Sequence, residues 1–381
     1  MVYCRLYFLL LTTSCLFCFI SLGQTDSLSF DSVTLKDNNQ KAKDLFSLGA
    51  GLQHGFIFAH SEEVENTKGS HPTGLEAIIS WQRVDSAAWS LCNCYPRRGF
   101  LLAYHDYDNR VLGKSITFAT FLEPTYRISN RTFFAFKGSM GLSYLTHPFD
   151  SLKNPFNQSY STAINGYLQV GIGAWVRLSN RWWINPSISY QHVSNGGMKE
   201  PNKGINWPTA GLALSYQPVA GPYYTGRRPD TKFWKGQPLR YDITLFGTAR
   251  RSVNERGESQ RMALVGLATQ VGKQVGRINM ILAGIEASHD EELRTELKKD
   301  SLDASPATVA LTVGHEFLLG KFLFSQKLGF YVFDQTPYHD PLYHRWTFLY
   351  RPGRLGIGFS MKAHRHIADY MDLRLSYFIE P

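Results

Sequence analysis

From Trp182 onward the chain alternates with a period of two: Trp182, Ile184, Pro186, Ile188 and Tyr190 are apolar, and the residues between them are mostly polar, as Asn185, Ser187, Ser189 and Gln191. That period belongs to a strand whose two faces meet different surroundings. It recurs at Leu168, Val170, Ile172, Ala174 and Val176, at Leu355, Ile357, Phe359 and Met361, and at Met371, Leu373, Leu375 and Tyr377. Such strands serve a soluble sandwich, with the apolar face in a core, or a membrane barrel, with that face in lipid. A chain that is 14% aromatic yet 19% charged, with a mean hydropathy of −0.23, suits the second.

Connection lengths separate the two cases further. Sixteen strands are expected, at 47–58, 73–84, 99–107, 115–127, 132–144, 163–178, 182–193, 206–217, 239–250, 260–270, 277–288, 306–317, 321–333, 342–350, 354–363 and 369–378. Several connections after even-numbered strands are tight, as at 129–131, 179–181, 320 and 351–353, whereas most after odd-numbered strands are longer and polar. An even strand count with short turns at one end and long loops at the other is the pattern of an outer-membrane barrel. Unpaired strand edges in lipid are costly, so the sheet must close. Two connections, 85–98 and 218–238, exceed an ideal turn, and the second divides the strands into two sets of eight. The expectation is an all-β, antiparallel transmembrane β-barrel of about 16 strands over residues 45–381; an eight-stranded barrel over 45–217 followed by a second β module over 239–381 is the alternative.

The N-terminus sets the compartment. Residues 1–23 carry Arg5, an apolar run through Phe19 and Ile20, and the small Ser21 and Gly23, the layout of a secretory signal peptide. Residues 24–44 are then a periplasmic segment, and the expected location is the outer membrane of a Gram-negative bacterium. Loss of Arg5, the one charged residue of the first 23, lowers the formal net charge from +9 to +8, which suits an anionic surface; nucleic acid is not an expected partner of a secreted chain without a binding motif. Of the five cysteines, Cys92 and Cys94 remain after cleavage. One intervening residue gives neither a disulfide framework nor zinc spacing, so the pair reads as a turn feature. His71, His147, His364 and His366 stand in or near expected loops without ligand spacing, the Arg227, Arg228 and Lys232–Lys235 stretch reads as a solvated periplasmic loop, and neither metal nor cofactor is expected.

One constellation carries chemistry: Tyr190-Gln191-His192-Val193-Ser194-Asn195-Gly196-Gly197, followed by Pro201-Asn202-Lys203-Gly204-Ile205-Asn206. His192 and Ser194, two apart on a strand, share a face, and it is the lipid face. Asn206 falls on the same side of the next strand, and the shared end is the one expected near the outer leaflet, where lipopolysaccharide lies. A serine beside an imidazole, a third group holding that imidazole, and glycine-borne N–H donors are the parts of an acyl-transfer site. A polar pair at the membrane boundary is the plainer reading of His-x-Ser alone.

At these residues the sequence resembles the lipid A 3-O-deacylase (PagL) family, in the branch often called acyloxyacyl hydrolases. The resemblance covers about residues 99–217 and is strongest from His192 to Asn206. It implies an eight-stranded barrel that hydrolyses an ester-linked acyl chain of lipid A, with Ser194 as nucleophile, His192 as general base, and Asn195, the Gly196 backbone and Asn202 at the oxyanion hole. Residues 239–381 have no counterpart in it. Where that family has a carboxylate, this chain has Asn206, which can orient His192 but cannot neutralise an imidazolium; Glu200 is the alternative acid, or else a solvated loop charge. Lys199 and Lys203 are the candidates for lipid A phosphates. The expected function is an outer-membrane esterase acting on lipid A or a related glycolipid, with a pore or a lipopolysaccharide-binding structural relative as the alternative.

Overall fold

The computed structural model describes residues 44–226, 232–253, 259–365 and 367–380; the expected signal peptide 1–23, nearly all of the 24–44 segment, Arg227, Arg228 and His366 lie outside them. The first sheet comprises β1 (Leu45–Gly55), β2 (Thr73–Gln82), β3 (Arg97–Asp106), β4 (Lys114–Glu123), β5 (Thr125–Arg127), β6 (Thr132–Leu145), β7 (Ile164–Arg177), β8 (Trp182–Ser194) and β9 (Ile205–Tyr216). β4 and β5 are one stave interrupted at Pro124, which has no N–H to give, and both pair with β6. β9 returns to β1, from Leu48↔Tyr216 to Gly55↔Thr209, so this half closes as an antiparallel barrel of eight staves. The remaining strands, β10 (Arg240–Val253), β11 (Ser259–Gln274), β12 (Asn279–Asp290), β13 (Ala307–Leu319), β14 (Phe322–Phe333), β15 (Leu342–Tyr350), β16 (Leu355–His364) and β17 (Ile367–Ile379), close separately through β10–β17, from Tyr241↔Ile379 to Gly247↔Leu373.

The sixteen staves are therefore those expected, but the preference for one ring is corrected: a single ring needs β9 beside β10 and β17 beside β1, and the pairs formed instead leave no edge open in either half. Eight staves enclose a lumen that side chains can fill. In the first barrel Arg97 bonds Glu123 at 2.9 Å, and Gln191 reaches Gln53 at 2.7 Å and Thr209 at 3.0 Å, all buried. In the second, Arg345 pairs with Glu286 at 2.6 Å, and Arg240 with Asp242 at 2.7 Å and Glu316 at 2.8 Å. These pairs lie inside the two lumens, where an unpaired charge is costly.

The period of two has the cause read from the sequence. Along β8 Ile188 is 63% and Tyr190 41% exposed, whereas Trp183, Asn185, Ser189 and Gln191 are buried inside the barrel. The tight turns are likewise built from their residues. Ser129 Oγ accepts from the N–H groups of Arg131 and Thr132 at 3.2 and 3.0 Å, and Ser179 Oγ from those of Arg181 and Trp182 at 3.3 and 3.2 Å, so the repeated Ser-Asn-Arg folds the same turn twice. The longer 83–96 connection holds α1 (Ser86–Cys92), capped by Asp85 Oδ1 at 2.7 Å from the Ala88 N–H. Cys92 and Cys94 form a disulfide, which corrects their reading as a bare turn: Asn93 ends α1 in the left-handed region at φ 54° and brings the two Cα atoms to 5.1 Å. The barrels touch near the long-loop end, where Gly196 abuts Met371, and at the short-turn end, where Arg277 Nη1 donates to Ser90 O at 3.1 Å.

Candidate active site

β8 and β9 form a hairpin whose register sets His192 directly opposite Asn206. Side chains in such cross-strand positions stand close enough to bond, and Ser194, two residues on, projects from the same face. His192 Nε2 lies 2.9 Å from Ser194 Oγ, and His192 Nδ1 lies 2.7 Å from Asn206 Oδ1. Because the amide oxygen can only accept, Nδ1 carries the ring proton, and Nε2 is left to accept from the serine hydroxyl. A one-residue slip of register would turn both groups into the lumen. Gln191 and Val193, fully buried, hold the register from the inner face, with Tyr167 Oη donating to Gln191 Oε1 at 2.8 Å.

The 195–204 connection folds over this line. Asn195, 2% exposed, gives its Nδ2 to Lys199 O at 2.7 Å and Ser161 Oγ at 3.3 Å, while its backbone N–H donates to Asn202 Oδ1 at 2.9 Å. Asn195 thus braces the loop from within. Gly196 and Gly197 follow at φ +67° and +81°, the region glycine enters without strain, and neither N–H donates to another described residue. Gly204, at φ +77°, passes so near His192 that a Cβ there would lie 2.8 Å from Cε1.

The other expected residues divide. Glu200 accepts from the Asn202 N–H at 2.9 Å, a bond internal to the loop, whereas His192 Nδ1 is taken by Asn206. Lys203 pairs with Glu63 at 3.0 Å; backbone and Ser61 hydrogen bonds, with that ammonium, pull the Glu63 carboxyl down to about 2. Lys199 is exposed and makes no ion pair among the described residues. One neighbour has no signal in the sequence: His60, from the connection after β1, accepts at Nδ1 from Asn206 Nδ2 at 3.0 Å, across 146 positions of chain.

The class defined by this fold and site is an outer-membrane β-barrel that carries a hydroxyl–imidazole–amide line on the outside of its wall. Residues 77–216 match the family described as "Lipid A 3-O-deacylase (PagL)", and residues 239–380 match "Acyloxyacyl hydrolase, C-terminal domain". The chain belongs to this lipid A 3-O-deacylase and acyloxyacyl hydrolase family of outer-membrane proteins. The second match corrects the expectation that residues 239–381 have no counterpart. No curated protein matches the chain. Among solved structures, it is similar to the outer membrane enzyme PagL, at 16% identity and a TM-score of 0.31 over 43% of this chain and 97% of that one. It is also similar to the β domain of the Bordetella autotransporter BrkA, at 11% identity and 0.25 over 88% and 98%, and to the toluene transporter TodX of Pseudomonas putida, at 7% and 0.19 over 89% of each.

Proposed function

We propose that the protein is an esterase that removes an ester-linked acyl chain from lipid A or a related acylated glycolipid, with Ser194 as nucleophile and His192 as general base. The observation that carries this reading is the line Ser194–His192–Asn206, at 2.9 and 2.7 Å, on the lipid-facing wall. A substrate ester held in the outer leaflet can meet Ser194 Oγ without leaving the membrane. His192 Nε2 takes the serine proton as Oγ forms its bond to the acyl carbon, and Asn206 Oδ1 holds the Nδ1–H. Asn195, the Gly196 N–H and Asn202, whose Oδ1 holds the Asn195 N–H at 2.9 Å, form the proposed oxyanion hole. Collapse breaks the ester C–O bond, and the imidazolium returns its proton to the departing sugar oxygen. Water, activated by the same imidazole, then cleaves the acyl-serine and frees the fatty acid.

Lys199 and Lys203 are the proposed phosphate contacts, Lys203 exchanging Glu63 for the phosphate. Residues 1–23 are the proposed signal peptide and 24–44 the proposed periplasmic lead to the two barrels within 45–381. An amide where the family has a carboxylate favours a second reading, a barrel that binds lipopolysaccharide without cleaving it. Purified protein incubated with lipid A in detergent separates the two: mass spectrometry should show loss of one hydroxyacyl chain, and an unchanged lipid would favour the second reading.

A further inference from the structure

An amide in the third position has a difficulty that a carboxylate lacks. A carboxylate offers the imidazole an acceptor whichever way it turns, whereas Asn206 can present either its oxygen or its NH2. Only the oxygen is productive. If Nδ2 faced His192, it would donate to Nδ1, the ring proton would move to Nε2, and Nε2 could no longer accept from Ser194; in the Ser-His-Asp template the wrong tautomer costs ~10⁴ in kcat. The amide needs a partner that chooses its orientation. His60 stands in that place, with Nδ1 3.0 Å from Asn206 Nδ2 and the Oδ1 of the same amide 2.7 Å from His192 Nδ1.

One proton arrangement satisfies the whole chain of contacts. His60 carries its proton on Nε2 and accepts at Nδ1; Asn206 donates through Nδ2 and accepts through Oδ1; His192 donates from Nδ1 and accepts at Nε2; Ser194 donates from Oγ. We propose that His60 is a positioning residue that locks the Asn206 amide with its oxygen toward His192, so that an amide replaces the acid without loss of the productive tautomer. Hydrogen bonds in series also polarise one another, so the bond to His60 deepens the negative charge on Oδ1 where the imidazolium forms. The inference rests on Ser194 and His192 being the reacting pair.

The test is the chemistry of position 60, not its size. His60→Asp keeps an acceptor and no donor; His60→Lys keeps donors and no acceptor, and pulls the amide oxygen away from His192. Each full-length variant, checked for folding by heat-modifiable migration, is assayed for lipid A deacylation. His60→Asp should stay within about tenfold of the parent, and His60→Lys should lose on the order of 10²-fold or more in kcat, short of the ~10⁴ of the template. In an Asn206→Glu background the order should reverse, because a carboxylate is compatible with a lysine and repelled by an aspartate. The first comparison decides by itself: equal activities of His60→Asp and His60→Lys would overturn the inference, and a lost reversal in an active Asn206→Glu protein would also contradict it. A parent protein that leaves lipid A intact would instead defeat the esterase reading on which the inference stands.

Discussion

Gly204 measures how little room the imidazole has. Alanine there would place Cβ 2.8 Å from His192 Cε1 and hold a side chain at φ +77°. Left-handed backbone costs an alanine about 1–2 kcal/mol, and a shift of about 1 Å at a reacting group can cost 10²-fold. Gly204→Ala should therefore lower kcat by about that factor while the barrel remains heat-modifiable; full activity would mean that His192 need not sit where it does. Substitutions of the carboxylate candidates should separate as their contacts do. Asn206→Ala should lower turnover, whereas Glu200→Gln should change it little, because Glu200 serves the Asn202 N–H. Asn206→Glu should raise kcat by stabilising the imidazolium, but by much less than the ~10⁴ attached to an acid built into its site, since a longer charged group beside lipid also meets a desolvation cost. At this scale the sequence showed His192, Ser194 and Asn206 on one face, because a period of two decides faces. It did not show His60, whose approach depends on how a long connection folds.

The connections decide how the strand ends become a site. The 195–204 loop is pinned by Asn195, and Asn195→Ala would leave Lys199 O and Ser161 Oγ without that amide. Loss of such bonds costs about 1–3 kcal/mol locally, so kcat/KM should fall by roughly tenfold with unchanged strand content by circular dichroism. The Glu63–Lys203 pair ties the same loop to the connection after β1. Glu63 has a folded-state value depressed to about 2, so its contribution is present above the ordinary carboxylate range and is lost only as pH falls through that value. Deacylation measured down to pH 4 should not report this carboxyl, and Glu63→Gln should leave the shape of the pH profile unaltered. The strands themselves were legible to within a few residues, and even the Ser-Asn-Arg turns announced themselves. The Cys92–Cys94 bond did not, because it depends on the left-handed Asn93 at the end of α1.

Closure into two rings was the part of the whole molecule least visible in the sequence. Edge strands pair through backbone groups, which every residue carries, so the alternation that marks each strand says nothing of which two ends meet. The 218–238 connection between the rings was the one hint. A protease site inserted there should, after cleavage in detergent, leave two fragments that each migrate as heat-modifiable barrels; collapse of either would contradict separate closure. The second barrel also bears on the site, since a Cβ on Gly196 would lie 2.8 Å from Met371 Sδ. Met371→Trp should crowd the loop and reduce turnover severalfold, whereas Leu375→Trp, on the same outward row but further from the loop, should not.

Ser194 is proposed to form and release an acyl-enzyme on the outer wall of the first barrel. The most direct measurement is deacylation of lipid A by purified Ser194→Ala protein, read by mass spectrometry beside the parent, with peptide mapping of the parent after a fluorophosphonate ester that traps activated serines. One phosphonyl group on Ser194 is expected, with a loss of several orders of magnitude in hydrolysis by a folded Ser194→Ala barrel. Unchanged deacylation by that variant, or a phosphonyl group on a different serine, would contradict it.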